Sequence, residues 1–156
     1  MNTYIASLFF TSLCVLSHAV MADYTRETIK TGPNGTSTVS VNQNATATGW
    51  ERDRSATNPQ GNTATRHTEV DKNPVTGTVT RSVDGTLHNG KTYSKDSTRT
   101  PTGSGFVKET TQVTPNGKTR EKLKVVERSP AERNVDVTRV NGRGQLSHRN
   151  TRTRRK

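Results

Sequence analysis

The sequence predicts an all-β protein: an elongated antiparallel meander of short hairpins with a small core, disordered ends and an N-terminal signal-peptide helix. Three observations carry that expectation. Turn residues recur about every 13 residues, at Gly35, Gly49, Gly61, Gly77, Gly90, Gly103, Gly117, Pro130 and Gly142, a spacing that leaves room for one short strand between turns. The stretches between them alternate Thr with Val, Arg or Lys, residue types that suit a pleated, half-exposed surface. Finally, residues 23–156 hold 26 Thr but only 18 Leu, Ile, Val and Phe, too few to enclose a compact core. The alternative is a largely disordered chain, favoured by low hydrophobicity and a net charge of +11. The regular turns weigh against it.

Taken in order, residues 1–22 read as a signal peptide. Ile5 to Leu16 is an apolar run of h-region length, too short to span a bilayer, and Val20-Met21-Ala22 supplies small residues for cleavage after Ala22. Cleavage would remove Cys14, the only cysteine, so the exported chain, periplasmic or secreted, would have no disulfide to support it.

Residues 23–117 form the hairpin-repeat region. Its turns are variants of one cassette, clearest in Thr114-Pro115-Asn116-Gly117-Lys118-Thr119 and repeated as Gly32-Pro33-Asn34-Gly35. Pro presets φ for the first central position, Asn tolerates the second, and Gly takes the left-handed conformation that starts the return strand. Period two is visible within single strands. Val79, Arg81 and Val83 oppose Thr78, Thr80 and Ser82, and Ser37, Val39 and Val41 oppose Thr36, Thr38 and Ser40. After residue 22 no window keeps helical periodicity, because Gly, Pro and β-branched residues interrupt each one.

Residues 118–156 differ in charge. They carry 13 Lys and Arg against 4 Asp and Glu, whereas residues 23–117 carry 11 against 9. Lys118, Arg120, Lys122 and Lys124 would share one face of a strand, with Thr119, Glu121, Leu123 and Val125 behind. Their repeat, ~6.6–6.8 Å, is near the phosphate spacing of a single nucleic-acid strand. Arg149, Arg152, Arg154, Arg155 and Lys156 then close the chain as a basic, unstructured tail. These nine cations are the candidate binding residues. Their partner would be an anionic polymer read without sequence preference, whether DNA, lipopolysaccharide or another envelope polymer. With no aromatic after Phe106, affinity should be electrostatic with no base stacking.

No catalytic or cofactor site is expected. Gly85-Thr86-Leu87-His88-Asn89-Gly90-Lys91-Thr92 satisfies the P-loop pattern, but that chemistry needs a helix after the loop. The next residues are Tyr93-Ser94-Lys95-Asp96-Ser97-Thr98, with no apolar stripe, so the match reads as turn vocabulary. His67, His88 and His148 lack partners at metal-ligand spacing. Trp50 is read as packing on Arg stems or covering a small cluster, with ligand stacking the lesser alternative.

The Gly-Pro-Asn-Gly and Thr-Pro-Asn-Gly-Lys-Thr cassettes, set in Thr/Arg alternation, resemble exported bacterial proteins with degenerate turn repeats. That resemblance covers most of residues 23–126 and implies export and a repeat architecture, with no activity attached. Two functions are then open. One is a non-enzymatic envelope or extracellular component that contacts polyanions through its basic C-terminal segment. The other is a purely structural β-repeat protein self-associating by strand edges, with a tail that only solubilises.

Overall fold

The structure is a computed structural model and describes residues 23–154. The expected signal peptide, with Cys14, lies outside the described residues, as do Arg155 and Lys156. Ten strands succeed one another without a helix: β1 Tyr24–Gly32, β2 Gly35–Ala45, β3 Gly49–Thr57, β4 Thr63–Lys72, β5 Val79–Thr86, β6 Thr92–Thr102, β7 Gly105–Val113, β8 Thr119–Arg128, β9 Glu132–Val140 and β10 Leu146–Arg154. They form a single antiparallel sheet in sequence order. No second layer covers either face among the described residues, so the all-β meander predicted from sequence is the fold.

Each predicted turn joins two strands; Gly35, Gly61, Gly77, Gly90 and Gly117 take the left-handed conformation of the cassette, Gly49 and Gly103 do not, and at the last turn that conformation falls to Gly144 in place of Gly142. At the β7–β8 turn the Thr114 N–H donates to the Lys118 carbonyl at 2.9 Å and the Gly117 N–H donates to the Thr114 carbonyl at 2.8 Å. Gly117 sits at φ 71°, a left-handed conformation that a side chain would resist. The same pair of hydrogen bonds closes the turns at Asn58–Asn62, Leu87–Lys91 and Asn141–Gln145. The P-loop look-alike is one of these: Gly85 and Thr86 are the last residues of β5, Leu87–Lys91 turns, and Thr92 opens β6. No helix N-terminus is there to hold a phosphate.

The C-terminal stretch corrects an expectation. Arg149, Arg152 and Arg154 do not belong to an unstructured tail; they lie on β10, paired with β9 from Leu146↔Val140 to Arg154↔Glu132. Sequence reasoning saw no large apolar residue there. The strand forms because β9 supplies a ladder of backbone partners, and Thr151 and Thr153 are good strand residues. The sheet also runs unbroken across residues 117 and 118, since β7 and β8 pair along their whole length.

Because partners across a ladder share a face and neighbours alternate, nine registers assign every strand residue to one of two faces. The buried apolar side chains are Val83, Val126 and Val137, with Val126 fully enclosed and Gln43 and Thr68 buried beside polar neighbours. All five lie on the same face. With no opposing layer, their cover comes from the long side chains around them.

Candidate functional site

The two faces differ in charge along the whole length of the sheet. The face that holds the buried valines carries seventeen Lys and Arg side chains and no carboxylate. Every Asp and Glu of the ten strands points the other way. The separation is set inside each strand. In β3, Arg52 and Arg54 alternate with Glu51 and Asp53, and in β4, Arg66 and Lys72 oppose Glu69 and Asp71. β8 places Arg120, Lys122, Lys124 and Arg128 against Glu121 and Glu127. The turns then bring like parity together across neighbouring strands.

On the basic face, cations stand directly opposite one another. Arg54 faces Arg66, Arg99 faces Lys108, Lys108 faces Lys124 and Lys122 faces Arg139. Side chains so placed have Cβ atoms ~4.5–5.5 Å apart, and like charges there destabilise a sheet. Lys122 registers this environment: burial, then the charges of Arg139, Lys124, Lys108 and Lys95, push its ammonium below the ordinary lysine range. Among the described residues no ion pair relieves the face. The three pairs present, His67–Asp53, His148–Asp136 and Arg152–Glu132, all belong to the acidic one.

All four aromatic side chains of the described residues join the cations. The Arg52 guanidinium lies 5.1 Å from the centre of the Trp50 ring and 5.8 Å from that of Tyr24. Arg99 lies 4.3 Å and Lys124 5.8 Å from Phe106. Trp50 therefore packs on Arg52, through its guanidinium and not its stem, which is nearest to the first of its sequence readings. Tyr93 leans over Gly85, where a Cβ would come within 2.6 Å of its ring. Arg66, Arg81, Lys95 and Lys108 ring a cleft of about 240 Å³ floored by Val83 and Tyr93. The floor gives apolar contact and the rim gives charge.

The sequence-predicted binding residues divide between the faces. Arg120, Lys122, Lys124 and Arg149 lie on the basic face, and Lys118 is in the turn just before β8. Arg152 and Arg154 point to the acidic face, where Arg152 donates to Glu132 at 2.6 Å. Sequence reasoning missed the cations of β1 and β3–β7, because residues 23–117 are nearly neutral in sum. Their charge is sorted by face, not by segment. It also found no aromatic beside the predicted cations because none follows Phe106 in sequence, whereas Phe106 itself lies 5.8 Å from Lys124 across the sheet.

On the acidic face His67 stands between Asp53 and Asp84 across two ladders. Its Nδ1 is 2.7 Å from Asp53 Oδ1. That hydrogen bond first, and the charges of Asp53, Glu51 and Glu69 after it, raise the imidazole above its ordinary value of 6.5, against a lowering by burial. The protonated form is the one the fold favours. His67 therefore adds stability at pH below ~6.5 that is lost as pH rises through its folded-state value. NMR titration of the His67 ring should give a midpoint above 6.5, and Asp53→Asn should bring it down; an unmoved midpoint would contradict the assignment.

Among the described residues no group of three or more His, Cys, Asp or Glu is placed to hold a metal ion. Comparison with family models, with curated proteins and with solved structures finds no match to this chain.

Proposed function

We propose that this chain is an exported, non-enzymatic binding protein whose basic sheet face engages an anionic polymer of the envelope or its surroundings without sequence preference. One observation carries the reading. Seventeen cations share a surface with no carboxylate and no ion pair, although interspersing the available acids would relieve the repulsion between them. Charge held apart in this way serves an external anion. The lattice of cross-strand and along-strand spacings offers contacts to a polymer at several angles, so sequence or a single backbone direction is not selected. Tyr93 adds apolar contact to what remains a largely electrostatic interaction.

The test is titration of the purified full-length chain with single-stranded DNA, heparin and lipopolysaccharide across salt. Counter-ion release predicts that log affinity falls with log salt by about 0.7–0.9 per phosphate engaged on nucleic acid. A slope of at least ~4, shared by DNA of unrelated sequences, is the expected result. If none of the three polymers binds in 50 mM salt, the reading fails.

A further inference from the structure

The acidic face keeps a surplus of charge, twelve carboxylates against Arg152 and Arg154, and the molecule carries a matching surface of its own. We propose that copies of this chain stack face to face, the acidic face of one on the basic face of the next. This goes beyond the polyanion reading and does not depend on it.

Shape, charge and area each support the stack. Twisted sheets of one hand pack face to face at about −30° with their side chains interdigitating, so the underside of one copy can seat on the upper side of the next. Two copies turned basic face to basic face lose the charge match. Ten strands ~4.8 Å apart make a face ~43 Å wide, and nine-residue strands make it ~30 Å long. The product, ~1,300 Å² per partner, exceeds the ~800 Å² per partner of a standard stable interface. Packed sheets lie ~10 Å apart, a gap that a Lys or Arg stem on one side and a short carboxylate on the other would fill.

The acidic residues are placed to meet that layer. Glu51 faces Glu69 across β3 and β4, and Asp96 lies two strands on, opposite Ser82, so the three occupy one row across the middle of the sheet. Using two different surfaces makes the contact heterologous, and the assembly open-ended unless the rotation between copies closes it. A polyanion would compete for the basic face and take the stack apart.

Sedimentation velocity on the full-length protein at 50 and 500 mM salt decides the matter. Concentration-dependent multiples of the monomer mass are expected at 50 mM, and monomer at 500 mM. Glu51→Lys/Glu69→Lys/Asp96→Lys should be monomeric at both, with an unchanged β signal and heparin retention at least as strong as before. Should the reversal weaken folding, Glu51→Gln/Glu69→Gln/Asp96→Asn removes charge at nearly constant shape and should shift the assembly towards monomer. A wild-type chain that is monomeric at 50 mM overturns the proposal. So does an assembly that ignores both salt and these substitutions, which would assign association to the open edges of β1 and β10. Loss of heparin retention in wild type and variants alike would sink the polyanion reading and leave the stack standing.

Discussion

Replacing Arg66, Lys108 and Lys122 together by Gln should cost the protein most of its polyanion affinity and make it more heat-stable. The three lie on β4, β7 and β8 of the basic face, and Gln keeps much of each stem that covers the valines. Removing three phosphate contacts should flatten the salt slope by ~2–3 and lower affinity in 50 mM salt by on the order of 10²–10³. The same change removes four like-charge oppositions: Arg54–Arg66, Arg99–Lys108, Lys108–Lys124 and Lys122–Arg139. Each can destabilise by up to ~1 kcal/mol at low salt, and ~1 kcal/mol moves the midpoint of a chain this size by ~2–4 °C. Opposite signs for binding and stability are the mark of charges kept for a partner. Arg152→Gln, on the acidic face, should leave the slope where it was. A triple variant that binds as wild type does would place the binding surface elsewhere.

Gly105→Ala is expected to destabilise the sheet by ~3 kcal/mol or more, in the far tail of single substitutions. A Cβ at Gly105 would lie 1.9 Å from the backbone oxygen of Val126, and one at Gly49 1.8 Å from that of Val70. Backbone cannot swing aside as a side chain can, so the hairpin must open. Neither glycine has a positive φ; close approach alone excludes the methyl group. Gly103, with nothing within 4 Å of its would-be Cβ, is the control, and its change to Ala should stay within ~0.5 kcal/mol. Chemical denaturation of the variants measures both, and equal midpoints would refute the steric argument.

These two glycines also show what the sequence concealed. Gly49-Trp50 leads to Val70-Asp71-Lys72-Asn73-Pro74, and four strands later Gly105-Phe106 leads to Val126-Glu127-Arg128-Ser129-Pro130. In both, a carbonyl packs on the glycine, a cation stacks on the aromatic, and the last strand residue, Lys72 or Arg128, donates its N–H to the carbonyl before the glycine. A search for turn cassettes finds the turns and passes over this longer repeat, which is written in the stretches between them.

The turns were legible because Pro, Asn and Gly act locally. The face was not. Period two was read within β2, β5 and β8, but joining strands requires knowing whether each turn preserves or reverses parity. The basic face takes even-numbered residues in β3 and β4 and odd-numbered ones in β5 and β6. One signal was available without the turns. In each strand that holds both charges, cations and carboxylates take opposite parity, as in Glu51-Arg52-Asp53-Arg54. The basic tail misled for a related reason: a strand with no apolar face looks like coil until its partner is known.

Each strand pairs only with the one beside it in sequence, which has a consequence for how the chain acquires its structure. No contact between strands waits for a distant segment to arrive, so contact order is low for a β protein and the loop-closure entropy of each step is small. Every completed hairpin presents an edge on which the next can form, as in solenoids whose stability sums over neighbours. A chain emerging end first through a narrow pore could therefore fold behind itself, one strand at a time. Unfolding would run the same way in reverse, fraying inward from β1 and β10 and reaching β5 and β6 last.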